Sequence, residues 1–218
     1  MHRVVDAPAG RATTVEGMIR MISGHGLQYR VAASEWEFEQ IHRLNYRTFV
    51  EEIPQHPPNA ERRLVDKFHA ENTYGICVRD GRVVGMLAWR ARRPFSLDQK
   101  LAELDAYLPP GRKPCEIRLL AVEKECRRGP VFHGLLALLA ENFTRQGHDL
   151  ALITGVLKQG RLYRRLGFVP FGPVLGSGAA TFQPMQLSLE RFAALCAESG
   201  GRWVPGELLK RADHGTRG

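Results

Sequence analysis

The chain has 218 residues, 44% hydrophobic and 25% charged, a balance that supports one packed domain and excludes fibrous and wholly disordered classes. Its net charge of +8 favours acidic partners: a phosphorylated cofactor, an acidic carrier protein, nucleic acid or an anionic membrane. An arginine-rich but ordinary surface accounts for the same excess. Cys77, Cys115, Cys126 and Cys196 form no CxxC pair, and no His/Cys cluster has metal-ligand spacing, so no metal site and reduced, cytoplasmic thiols are expected. The start of the chain lacks the apolar run of a signal peptide, and the most apolar stretch, Val131 to Ala140, is far short of the ~20 residues that span a bilayer.

Residues 1–25 read as a loose lead-in, 26–198 as one domain and 199–218 as a flexible tail. Leu27 to Ala32 alternates and predicts a first strand. Ser34 and Glu37 form a capping box that opens a helix with Phe38, Ile41 and Phe49 on one stripe. Asn45 shares that stripe, as a satisfied core amide or a ligand. Pro54 to Pro58 break the chain before a second helix near Asn59. Tyr74 to Val78, the turn Asp80-Gly81 and Val83 to Trp89 predict a hairpin. Ser96 is expected to cap a short helix through Tyr107. Cys115 to Val122 is a strand. Val131 to Gln146 is the clearest helix, with Phe132, Leu135, Leu136, Leu139 and Phe143 in register and Gly147 as its stop. Leu150 to Val156, Gln159 to Leu166 and Thr181 to Leu189 complete the pattern as strand, helix and strand. The order predicts an α/β layer fold with a mixed sheet.

Chemistry concentrates in two segments. From Glu116 to Gly134 a strand enters a loop with Arg127, Arg128 and Gly129, and a helix starts at once. A helix start presents free N–H groups and a positive dipole end, so two arginines there imply a phosphate or a solvated basic turn. The second segment, Arg161 to Phe168, is a short helix ending at Gly167, where Tyr163 alone would be a packing residue.

Together the two segments resemble the GNAT superfamily of N-acyltransferases. Its Y-x-x-x-G-F motif is matched by Tyr163, Gly167 and Phe168, and the resemblance spans roughly Tyr29 to Leu189. The pyrophosphate-loop positions that carry glycine in that superfamily hold Val131 and His133 counted from Arg128, or Pro130 and Phe132 counted from Arg127. Leu44 to Glu52, then Asp66 and Phe68, resemble the N-terminal half of N-acyl amino acid synthases and acyl-homoserine-lactone synthases. Glu116 to Val122 is similar to their E-x-S-R-x-x-V strand, with Arg118 one place early; His69 stands where they carry an acid.

The resemblance implies a GNAT-type fold, a mixed and mostly antiparallel sheet flanked by helices, and acyl transfer from a thioester to an amine. It implies that Leu120, Ala121 and Val122 bind a pantetheine arm through their backbone, and that Arg127, Arg128, Gly129, Val131, His133 and Gly134 surround its phosphate. Tyr163 would protonate the leaving thiolate. Glu116 would be the base, or the ion-pair partner of Arg118. The co-substrate is acyl-CoA or acyl-phosphopantetheine on acyl carrier protein, with no permanently bound cofactor; the acceptor is an amino acid or similar small amine. Arg92, Arg93, Arg164 and Arg165 would dock the carrier or stay solvated. Two alternatives stand beside this reading: an acetyl-CoA-dependent N-acetyltransferase, and a non-catalytic module that binds a thioester or a protein. Nucleic-acid binding is disfavoured, because no aromatic platform interleaves with the scattered basic residues.

Overall fold

A computed structural model describes residues 26–176 and 181–198; the expected lead-in and tail, and the side chain of Cys196, lie outside the described residues. Strands β1 (Leu27–Val31), β2 (Thr73–Arg79), β3 (Arg82–Arg90), β4 (Pro114–Val122), β5 (Leu150–Val156), β6 (Val169–Pro170) and β7 (Phe182–Ser188) form one sheet. Their order is β1-β2-β3-β4-β5-β7-β6. Every neighbouring pair is antiparallel except β4 with β5, so the sheet is mixed and mostly antiparallel, as expected.

Alternation along the strands sorts the core into two faces. Cys77, Leu87, Trp89, Cys115 and Ala151 point to a back face covered by helix α2 (Val131–Gln146). Ile76, Met86 and Ala88 point to a front face covered by helix α1 (Glu35–Tyr46). Beyond β4 the front face continues as Phe95, Leu97, Leu101, Leu150 and Leu152, roofed by the 94–108 segment.

The strong local signals are realised. Ser34 and Glu37 make the reciprocal capping box, and α1 buries Ile41, Leu44 and Asn45, the last donating from Nδ2 to the Leu64 carbonyl at 3.5 Å. α2 ends at Gly147, whose φ of 72° closes the helix. The hairpin and β5 form where the alternation and the turn place them.

Two predicted helices are corrected. No helix begins near Asn59. Its side chain instead bonds the backbone of Arg63 in both directions, which competes with a helical first turn, and the segment runs on in turns to Asn72. Ser96 caps no helix, because its N–H and hydroxyl both donate to Glu116; only a single 3₁₀ turn, Leu104–Tyr107, forms downstream. Three features were not foreseen. α1 continues as a π-helical stretch, Arg47–Glu52, with the Ile53 N–H on the Thr48 carbonyl at 2.9 Å. Val169–Pro170 forms a two-residue strand beside β7. Helix α4 (Leu189–Glu198) follows β7 directly.

Candidate active site

The site is created by a fault in the sheet. β4 and β5 pair at Pro114↔Leu150, Cys115↔Ala151 and Glu116↔Leu152, and no further pairing between them occurs among the described residues. The β3–β4 register shifts between Met86 and Ala88, and Leu119 takes a positive φ of 46°, so a bulge bends β4 away from β5. The β5-facing edge of residues 117–122 is therefore left without a strand, and unpaired edge groups are a template for an added extended chain. Along this edge Leu120 is 39% exposed, whereas Ala121 and Val122 point into the core.

On the β5 side of the gap, Tyr163 projects from the short helix α3 (Gly160–Arg165). Its ring lies flat on the β5 backbone at Gly155, where an added Cβ would fall 2.7 Å from the ring. The hydroxyl donates to Gln159 Oε1 at 3.0 Å, and burial raises the phenol's pKa above its ordinary value, so it stays protonated at neutral pH. Gly155→Ala should displace this ring and lower kcat about ten- to a hundredfold, since small misplacements of a reacting group are costly. In a Tyr163→Phe background the same change should add little, which steady-state kinetics of the double variant would read.

α2 begins at the foot of β4. Pro130 occupies its N-cap position and makes no side-chain cap hydrogen bond, and a helix start carries the positive end of the helix dipole. The two arginines ahead of it divide. Arg128 is exposed beside the turn, but Arg127 is engaged, its Nε on the Val122 carbonyl at 2.9 Å and its Nη2 on Glu52 at 2.6 Å. Gly129 sits in the turn with its N–H on the Cys126 carbonyl at 3.1 Å. Gly134 serves packing: a Cβ there would fall 2.1 Å from the ring of Tyr29, whose hydroxyl reaches the Pro130 carbonyl at 3.1 Å.

Across the front face of the gap lies a buried polar group of side chains. Glu116 is 1% exposed and accepts from the Ser96 N–H (2.8 Å), the Ser96 hydroxyl and the Leu97 N–H (3.2 Å), with Arg118 Nη1 at 3.8 Å. Arg118 also donates to Asp66 at 2.8 Å, and Asp66 further accepts from the Phe68 N–H and Asn72. The Phe68 ring is within cation–π reach of the guanidinium groups of Arg90 (4.3 Å) and Arg118 (4.7 Å). So Asp66, Phe68, Glu116 and Arg118, singled out separately in the sequence, converge at one place. His42 and His69 meet edge to face nearby, with ring centroids 4.8 Å apart, and burial with the His69 neighbour pushes His42 down to about 4, leaving it neutral. Arg90 escaped notice because it heads a run of arginines that reads as surface. Its alternation with Ala88 on β3 was the available signal.

On the back face, below the point where the strands part, Ile117, Leu136, Leu139, Ala140, Phe143 and Phe168 line an apolar cleft closed by Leu189 and Phe192 of α4. Phe192 was not anticipated, because α4 was not, and Leu189, expected as the last residue of the final strand, instead opens that helix. The four arginines proposed for carrier docking are scattered: Arg93 pairs with Asp98 at 3.1 Å and with Asp105, while Arg92, Arg164 and Arg165 are exposed. Among the described residues, no helix is long and apolar enough to cross a membrane, and no group of side chains has metal-binding composition.

Comparison with known proteins bears directly on this geometry. The family described as N-acyl amino acid synthase FeeM matches residues 40–187, well over half of the chain. Similar solved structures include BjaI, a CoA-dependent acyl-homoserine lactone synthase solved with SAM and isopentyl-CoA, with a TM-score of 0.66, 20% identity, and coverage of 82% of this chain and 92% of that one. They also include FeeM, an N-acyl amino acid synthase from uncultured soil microbes (0.60, 18%, 78% and 94%), and the acyl-homoserine lactone synthase LasI (0.59, 16%, 75% and 90%). No curated protein matches the chain. The fold is thus the GNAT-type acyltransferase fold. The chain belongs to the N-acyl amino acid synthase family and is an N-acyltransferase.

Proposed function

We propose that the protein transfers a medium or long acyl chain from a phosphopantetheine thioester to the amine of an amino acid. The observation that carries this is the parting of β4 from β5, with an unpaired strand edge on one side and the Tyr163 phenol on the other. The pantetheine arm lies along Leu120, Ala121 and Val122 as an added strand. Its phosphate sits at the positive end of the α2 dipole, beside Val131 and His133 and with Arg128 nearby, where no side chain caps the helix. Arg127 contributes by fixing the turn through Val122 and Glu52. The acyl chain enters the cleft of Ile117, Leu136, Ala140 and Phe143, whose almost wholly apolar lining favours a donor with more hydrocarbon than acetyl.

The amine nitrogen attacks the thioester carbonyl and forms the C–N bond. Collapse of the tetrahedral intermediate breaks the C–S bond, and the departing sulfur takes its proton from the Tyr163 hydroxyl. The nitrogen gives up its extra proton to water at the open front of the gap, and exchange with solvent restores the phenol. A peptide's α-amino group ionises near 7.7–8.0 and that of a free amino acid higher, because of its own carboxylate, so the reacting species is the minority free amine, replenished from the ammonium form by proton exchange with solvent. Of the two roles open to Glu116, its three donors favour the anchoring one: both oxygens are engaged in holding the 96–97 turn, with Arg118 alongside.

A donor panel tests the reading: acetyl-CoA, decanoyl-CoA, dodecanoyl-CoA and dodecanoyl-acyl carrier protein, each with mixed amino acids, followed by free-thiol release and mass spectrometry of the product. Long-chain amides are expected. Acetylation alone would leave the ordinary acetyltransferase reading, and no product with any donor would leave the non-catalytic one. Arg128→Glu should raise the donor KM about tenfold at low ionic strength and less as salt rises, because an exposed charge is screened; titration of KM against salt checks this.

A further inference from the structure

Arg90 stands at the end of β3, directly opposite Glu116 on β4, and is 2% exposed. Its Nε and Nη1 have no hydrogen-bond partner, and among the described residues it forms no ion pair. Its contact with the Phe68 face, 4.3 Å to the centroid, does not replace a counter-ion. A guanidinium keeps its charge at every pH the protein meets, and burying one alone is strongly unfavourable. The neighbouring carboxylates are already committed, Glu116 to Ser96 and Leu97, Asp66 to Arg118, Phe68 and Asn72. Among the described residues, then, no side chain completes the hydrogen bonding of Arg90, and these N–H groups are open to an anionic ligand.

Two further unpartnered groups share this face. Arg118 Nε is buried without a partner. So is Thr154 Oγ1, two residues past the last β4–β5 pair on β5, as Arg118 is on β4. Both stand at the mouth of the gap in which the thioester would lie. Arg90 Nε and Nη1 lie on different edges of the guanidinium, so a carboxylate on this front face would take one edge of Arg90 and turn its other lone pairs to Arg118 Nε or the Thr154 hydroxyl.

We propose that Arg90, with Arg118 Nε and the Thr154 hydroxyl, binds the α-carboxylate of the acceptor, so that the enzyme recognises an amino acid by its charge. An amine one carbon away from the bound carboxylate then reaches toward the gap. This inference rests on the acyl-transfer reading for its kinetic arm only.

The test compares leucine and phenylalanine with leucinamide, phenylalaninamide, isoamylamine and phenethylamine, using whichever donor of the panel reacts. The amides and simple amines should show kcat/KM lower by about a hundredfold, even though the amides, being less basic, offer more free amine. Arg90→Met should raise the amino-acid KM about ten- to a hundredfold, leave the amides unaffected, and keep or raise the thermal unfolding midpoint, because an uncompensated buried charge is removed. Without any donor, millimolar leucine or phenylalanine should raise the wild-type midpoint and the two amides should not. Equal kcat/KM for acids and amides, or equal shifts of the midpoint, overturns the carboxylate site while leaving acyl transfer intact. Midpoint shifts by the acids alone, with no amine acylated by any donor, would uphold the site and overturn the acyl-transfer reading. If Arg90→Met does not fold, the wild-type comparison of acids with amides still decides.

Discussion

Tyr163→Phe should reduce kcat by about a hundredfold or more, the usual worth of a positioned general acid, while the donor KM hardly changes. The reason is the timing of the hydrogen bond. The phenol donates to Gln159 in this structure, and in the proposed mechanism it turns to sulfur only as negative charge grows there. Removing an interaction made only in the transition state lowers kcat and kcat/KM together. The raised pKa adds a second signature. A phenol pushed above its ordinary value of 10.0 by burial stays protonated through the neutral range. Its contribution to the wild-type rate should be flat there and be lost only at pH above 10, and that alkaline limb should be absent in Tyr163→Phe. A variant with wild-type kcat would remove the tyrosine from the reaction.

Glu116→Gln should chiefly unfold the protein rather than slow it. The carboxylate is buried, accepts three hydrogen bonds and lies beside Arg118. An amide keeps the shape but turns an NH₂ toward groups that are themselves donors, and leaves Arg118 less compensated. Breaking buried charged networks of this kind costs about 3–5 kcal/mol, which for a domain of this size is a fall of roughly 10 °C in Tm. Calorimetry and steady-state rates should be measured on the same preparation. A Tm within a degree or so of wild type together with a collapsed kcat would instead make Glu116 the base that accepts the amine proton.

Much of this architecture was legible in the order of residues because the informative signals are local. The Ser34–Glu37 box, the Asp80-Gly81 turn and the α2 stripe ending at Gly147 each depend on neighbours within a turn or two, and each forms as expected. The helix near Asn59 is lost to a local competitor, the side-chain bonds to Arg63 four residues on; the other departures have a distant partner that outbids a local preference. Ser96 is a good cap by itself, but Glu116, twenty residues on, takes both its donors. Arg127 belongs to a basic turn in sequence, but Glu52 and the Val122 carbonyl turn it inward. Arg90 could not be recognised at all, because its significance lies in what it fails to contact once buried, a property no spacing records. Tyr163 is intermediate: its motif pointed to it, while the flat seat on Gly155 that aims it is a property of the fold.

The gap between β4 and β5 has an evolutionary corollary. Most of the surface assigned to the carrier arm is main chain, presented by an unpaired strand and by a helix start, and main-chain amides are the same whatever side chains they bear. Substitutions can therefore accumulate along this groove with little effect on the docking of the arm, which is consistent with shared architecture at 20% identity. On the proposed function, acyl-chain preference would be set elsewhere, by the few side chains that line the apolar cleft, and exchanging Leu136, Ala140 and Phe143 would be the economical way to alter it.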